Sequence, residues 1–155
     1  MLVYESQLAG FAAVKPGAIF SDINKACQAV LAKGLADMGV LTVSAEESLR
    51  PEVGLHRRWT LHGVSHHLGL DVHDCAQARK EMYLDAPLRE GMVLTVEPGL
   101  YIQPDDELFA PEYRGIGIRI EDDVVVTADG CRNLSQNIPR HPDDIEKWMK
   151  QILGR

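Results

Sequence analysis

Residues 115–127, GIGIRIEDDVVVT, decide the fold class. Isoleucine recurs at every second position, 116, 118 and 120, and leaves Gly117, Arg119 and Glu121 on the other side. A period of two marks a β-strand, whose successive side chains point to opposite faces. Residues 124–127 continue the sheet, Asp129-Gly130 makes a turn, and 131–134 supply a last short strand. Upstream, residues 88–102 read LREGMVLTVEPGLYI and hold a strand over 92–97, ended by Pro98-Gly99. Its alternation sets Leu94 and Val96 on one face and Thr95 and Glu97 on the other. The loop of roughly twenty residues between the strands permits antiparallel pairing with the two glutamates side by side. With the isoleucines and the Leu94 face packed on helices, both carboxylates look out of the far side of the sheet.

Two adjacent carboxylates repel and raise one pKa unless a cation sits between them. Arg119 offsets part of that repulsion, and a metal offsets more. A candidate third ligand lies in residues 62–74, HGVSHHLGLDVHD, which hold four of the chain's six histidines. Imidazoles are costly to bury unpaired, and Gly63 and Gly69 let backbone come close to whatever lies between them. Carboxylates with imidazole suit manganese, zinc or cobalt. His62 and His66 are four apart, but no glutamate follows His62, so the HExxH zinc pattern is absent. His67 points away from His66 and is a bystander, while His56 and His141 read as surface residues.

The N-terminal part is helical scaffold. Tyr4, Leu8, Phe11 and Val14 form a stripe that Lys15-Pro16-Gly17 stops. A second helix starts at Ser21-Asp22 and carries Ile23, Cys27, Val30, Leu31, Leu35 and Met38 up to Gly39. His141-Pro142 opens a last helix through Trp148 and Leu153. The 103–113 loop is acidic and long enough to edge a cleft.

With 155 residues, the chain supports one domain with a real core. A net charge of −7 argues against nucleic acid as the partner. Residues 1–60 balance six acids with six bases, whereas 61–155 carry seventeen acids and ten bases. The acidic part is the part with the motifs, which suits a cation site. No apolar run approaches the ~20 residues of a bilayer span. Three scattered cysteines, 27, 75 and 131, without a CxxC read as reduced thiols in a cytoplasmic protein, Cys75 being small and half-buried.

The three blocks, HGVSHHLGLDVHD, LREGMVLTVEPGLYI and GIGIRIEDDVVVT, together resemble the pita-bread metallopeptidases, and most of all the Xaa-Pro aminopeptidases (aminopeptidase P). They occur in family order and spacing, and the resemblance covers essentially the whole chain. It implies an α+β pita-bread fold, an antiparallel curved sheet with helices on its outer face. It also implies a hydrolase with two divalent metals, usually manganese, acting on peptides with proline in second position. His66, Glu97 and Glu121 match metal ligands, and Glu97 is suited to exchange a proton with water. His62 and His73 match histidines that contact substrate and stabilise the oxyanion, and Arg119 matches a supporting arginine. Ser65 and Leu70-Asp71 favour aminopeptidase P over prolidase, the alternative enzyme. A non-catalytic pita-bread binding module is the alternative from another class.

The family carries two further aspartate ligands on upstream strands. Here Asp22 and Asp37 both fall in the second helix and cannot stand in for them. The resemblance therefore implies that residues 1–155 are the C-terminal portion of a catalytic domain, without the upstream strands and the N-terminal domain. The expectation is one weakly held metal at best, little peptidase activity, and an exposed sheet edge that favours homo-oligomers.

Overall fold

Antiparallel pairing runs in a single register through most of the second half of the chain. In the computed structural model, which describes residues 1–154, β1 (Val93–Val96) pairs with β4 (Asp122–Val126), and β2 (Gly99–Tyr101) with β3 (Gly117–Arg119). The two ladders are in phase, so Glu97 stands opposite Glu121 and Pro98 opposite Ile120. Pro98 has no N–H to donate, and there the ladder breaks. A single bond, from the Ile120 N–H to the Pro98 carbonyl at 3.3 Å, crosses the gap. Beyond β4 lies β5 (Cys131–Asn133), giving the order β1-β4-β5. Along the other edge of β1 runs an extended segment, 64–68. The amides of Leu68, Thr95 and Glu97 close that pairing on the carbonyls of Val93, His66 and Val64 at 2.8–3.0 Å.

Helices α1 (Leu2–Ala13) and α2 (Phe20–Asp37) cover the apolar side of this sheet. In α2, Ile23, Cys27, Leu31 and Leu35 follow a helical period and are fully buried. The helix begins at Phe20, slightly ahead of the expected Ser21-Asp22, because the Asp22 carboxylate accepts the Ile19 N–H at 3.2 Å. Gly39, at φ +74°, ends it in the left-handed region that glycine adopts freely. Leu94, Val96, Val124 and Val126 meet this helix pair together with Val14 and Phe20. Each such side chain contributes roughly 1.5–3 kcal/mol by leaving water.

Helix α1 departs from the expected stripe. Val14 is buried, but the inward face of the helix is Val3, Ser6, Gln7 and Gly10, while Leu8 is 43% exposed. Close approach decides this. A Cβ on Gly10 would lie 2.6 Å from Val96 Cγ1 and 2.7 Å from Cys27 Sγ. The polar donors beside it find partners inside: Ser6 Oγ donates to the Cys27 carbonyl at 3.0 Å, and Gln7 Nε2 to the Asp122 carboxylate at 2.9 Å. Arg140 reaches the same buried Asp122 at 3.2 Å and anchors the chain ahead of α4 (Pro142–Leu153).

Two further expectations change. Ile116 and Ile118 are 42% and 47% exposed, because the helices pack on β1 and β4 and leave β3 uncovered. The 103–113 loop does not line the cleft at the metal centre or the larger one beside it. Its Asp106 is buried and accepts from Trp59 Nε1 at 2.7 Å and from Arg58 at 3.2 Å. Phe109 joins Trp59, Leu35 and Ile102 in a second apolar cluster. Among the described residues no helix is long and apolar enough to cross a membrane.

Candidate metal centre

Strand β1 collects one ligand from each neighbour. His66 is paired with Thr95 on one edge, and Glu121 faces Glu97 on the other. Side chains directly across an antiparallel pair share a face, as do residues two apart on one strand. His66, Thr95, Glu97, Arg119 and Glu121 therefore share the face turned away from the helices. Donor atoms of His66, Glu97 and Glu121 all lie within 4.8 Å of one another. Among the described residues no other set of three histidine, cysteine or acidic side chains converges this way. His66 and Glu97 are 13% and 12% exposed, whereas Glu121 is 38% exposed and forms the open side.

The donor set fits a cation. His66 Nδ1 donates to the His67 carbonyl at 3.2 Å, so in the neutral ring Nε2 carries the lone pair. That nitrogen faces Glu97 Oε1 at 3.1 Å. A lone pair set against a carboxylate, with a second carboxylate beside it, is an arrangement that a divalent ion stabilises. Arg119 supplies part of the positive charge, its Nε lying 3.5 Å from Glu121 and 4.0 Å from Glu97. Thr95, 1% exposed, ties the set together. Its Oγ1 accepts the His66 N–H at 3.0 Å and donates to Glu97 Oε1 at 3.1 Å.

The other two histidines flank this set. The His73 ring stands edge-on to His66 with centroids 4.5 Å apart, and is itself exposed. The 69–74 turn puts it there. A Cβ on Gly69 would lie 2.4 Å from the Asp74 carboxylate, which folds back to accept the Asp71 N–H. His62 Nδ1 donates to the Gly63 carbonyl at 2.7 Å, and Nε2 accepts the Tyr101 hydroxyl at 2.7 Å. His62, His66, His73, Glu97 and Arg119 line one cleft of about 380 Å³, with Ser65 among them. Glu121 joins them through its carboxylate.

His67 turns the other way, stacked on Phe20 with centroids 4.7 Å apart, and burial lowers its pKa. His141 caps α4 by accepting the Asp143 N–H. His56, expected at the surface, is buried: Nδ1 donates to the Ser48 carbonyl at 2.9 Å, and desolvation lowers the ring's pKa. All three cysteines are free thiols, and Cys75 is exposed rather than half-buried, outside the ligand set. Sequence reasoning set Thr95 on the Glu97 face without giving it a role, and missed Tyr101. Both stand at even spacing from Glu97, and that period is the signal that places them on its face.

Comparison with known proteins agrees with this geometry. The chain is 57% identical over 152 residues to Xaa-Pro aminopeptidase 1 of Streptomyces coelicolor, spanning 98% of this chain and 30% of that protein. It is 40% identical over 151 residues to the Xaa-Pro aminopeptidase of Escherichia coli, 96% of this chain and 32% of that one. The solved aminopeptidase PepP of Pseudomonas aeruginosa superposes with a TM-score of 0.90 at 37% identity, over 99% of this chain and 34% of the other. The chain thus spans about a third of the length of the relatives it matches, and carries the α+β pita-bread fold of aminopeptidase P over that span. The family model for metallopeptidase family M24 matches residues 1–128, and the chain belongs to that family.

Proposed function

We propose that this chain carries part of the active centre of a metal-dependent aminopeptidase that cleaves the bond between an N-terminal residue and proline. The observation that carries this reading is the convergence of His66, Glu97 and Glu121 within 4.8 Å on one face of the sheet. These three residues would hold a divalent ion, manganese first and zinc or cobalt as alternatives. An ion bound there acidifies water and polarises the scissile carbonyl, the chemistry that amide hydrolysis needs. The names of the relatives, Xaa-Pro aminopeptidase and aminopeptidase P, supply the substrate class: peptides with proline in second position.

The chain's own residues divide the remaining work. Glu97, half of whose carboxylate is fixed by Thr95, accepts and returns a proton. Arg119 balances the paired carboxylates and keeps them oriented. His73, exposed at the rim, donates toward charge that develops on the carbonyl oxygen. His62 has both nitrogens engaged, by Gly63 and Tyr101, and so acts as a fixed wall beside the substrate. An Xaa-Pro bond has no N–H to offer, so a wall suits it better than an acceptor.

On this reading residues 1–155 form the C-terminal portion of the catalytic domain, and a second metal needs carboxylates from outside it. The free thiols support a cytoplasmic setting. The uncovered β3 strand supports association with further chain or a second copy.

Calorimetric titration of the 155-residue chain with manganese tests the proposal, with Glu97→Ala and Glu121→Ala as controls. One site, lost in both variants, is expected. Binding that survives both substitutions would overturn the ligand assignment. Cleavage of Ala-Pro-Ala in preference to Ala-Ala-Ala, by this chain or by a version extended upstream, tests the substrate class.

A further inference from the structure

The side chains that β1 and β4 turn toward the helices are apolar at Leu94, Val96, Val124 and Val126, and the row ends in Asp122. Asp122 is 2% exposed and stands opposite Val96, in the last pair of that ladder before Pro98 interrupts it. Glu97 and Glu121 form the next pair and point to the other face. A carboxylate in an apolar layer is costly unless donors meet it. Gln7 of α1 is fully buried, and its Nε2 donates both to Asp122 Oδ2 at 2.9 Å and to the Val96 carbonyl at 3.1 Å. Arg140 reaches the same Oδ2 at 3.2 Å. Both groups that face Nε2 are acceptors, which fixes the amide nitrogen toward the sheet. Gln7 Oε1 has no partner among the described residues, so the nitrogen alone ties this side chain to the fold. One amide thus bonds two strands, β1 through its backbone and β4 through its side chain.

The pair beyond this point has little else to hold it. Two carboxylates repel across it, Pro98 offers no N–H, and the single bond from the Ile120 N–H to the Pro98 carbonyl closes its far side. Strands free to part at Val96 and Asp122 would let Glu121, the more exposed glutamate, swing away from Glu97 and His66. We propose that Gln7 is a positioning residue for the metal centre, a clasp that holds β1 to β4 beside Glu97 and Glu121 and so keeps the two carboxylates at ligand distance. Gln7 is uncharged and lies on the opposite face of the sheet, so it acts on a bound ion only through the spacing of the strands. The inference rests on the metal-centre reading above and assigns Gln7 a part in it.

The test uses the 155-residue chain with Gln7→Met, which keeps the volume and removes both bonds. Manganese calorimetry should show about three- to tenfold weaker binding, less than the 10–100-fold known for partners that touch a ligand directly. Ser6→Ala cuts a bond from the same helix to the Cys27 carbonyl of α2, so it should lower stability and leave the affinity unchanged. Hydrogen exchange without metal separates positioning from general loosening. In Gln7→Met the Ile120 amide should exchange about fivefold faster relative to reference amides at Leu31 in α2 and Ser48 in α3 (Ala45–Ser48), and manganese should slow it again. Gln7→Asn keeps an amide but is one carbon too short to reach both strands, and it carries the same comparison where the methionine variant does not fold. Parent-like affinity in the Gln7 variant would overturn the proposal, as would an equal fall in Ser6→Ala or exchange at Ile120 that rises no more than at the reference amides. The metal-centre reading fails separately, by parent binding no tighter than that of Glu97→Ala, and the metal-free exchange then decides the clasp alone.

Discussion

Replacing Thr95 by valine keeps the side chain's shape and removes one oxygen. That oxygen makes two bonds at the centre, accepting the His66 N–H at 3.0 Å and donating to Glu97 Oε1 at 3.1 Å. At 1% exposure no water can take its place. An amide N–H left unpaired in such a position costs about 1–3 kcal/mol. The backbone pairing of Thr95 with His66 is untouched, since the Thr95 N–H still donates to the His66 carbonyl at 2.9 Å. The sheet should therefore survive, and Thr95→Val should lower the urea unfolding free energy by about 1–3 kcal/mol with an unchanged m-value. The effect on metal is separate. Outer partners that orient ligands are worth about 10–100-fold in affinity, or roughly 1.4–2.8 kcal/mol. Manganese calorimetry on the folded variant should show a loss in that range, and Thr95→Ser should recover most of it. Affinity equal to the parent in Thr95→Val would refute the argument, because it would mean that Glu97 and His66 are oriented by something other than this hydroxyl.

Gly10→Ala drives a methyl into Val96 and Cys27, and overpacking of this kind should cost about 1–3 kcal/mol in thermal or urea unfolding. Asp106→Ala orphans the indole N–H of buried Trp59, with an expected loss of about 1–3 kcal/mol and a red shift of Trp59 emission. Burial alone would raise the Asp106 pKa, but hydrogen bonds from Trp59, Arg58 and the Leu108 amide outweigh it and hold the carboxyl below its ordinary value. A carboxyl depressed in the folded state stabilises above its unfolded pKa and loses that contribution as pH falls through the folded one, so the acid limb of the stability curve should flatten in Asp106→Ala. His56 is lowered by burial, so the unfolded state binds its proton first. Stability should therefore decline as pH falls from 7 to 5, and His56→Asn should lessen that slope.

Strand alternation was enough to set Glu97 and Glu121 on one face, since it needs only a period of two and an antiparallel return. It could not show that segment 64–68 runs along the opposite edge of β1, because those residues have no strand-like alternation and are held there by backbone bonds and by the Thr95 hydroxyl. The inward face of α1 was hidden for a different reason. Hydrophobicity selects Tyr4, Leu8 and Phe11, while the contact is decided by the absence of a side chain at Gly10 and by polar groups that find partners inside. His56 misled in the same way: two neighbouring arginines suggest a surface, but Ser48 satisfies its ring and allows burial.

The place of the metal centre follows from the one residue that cannot complete a ladder. Pro98 lacks an N–H, so the paired strands open between Val96 and Gly99. In an antiparallel pair, bonded and non-bonded positions alternate, and side chains stand closest at the non-bonded ones. The Ile120 N–H to Pro98 carbonyl bond marks 98 and 120 as a bonded position, which makes 97 and 121 a non-bonded one. Two glutamates at such a position would ordinarily push the strands apart. They are held instead by apolar packing of Leu94, Val96, Val124 and Val126 on the far side and by Arg119 on the near side. The sheet thus keeps two carboxylates closer than they would settle by themselves. The repulsion it holds in check is released when a cation binds, so manganese should raise the unfolding temperature of the parent chain, and do so less in Glu121→Gln, where one ligand is weakened and the repulsion is already gone.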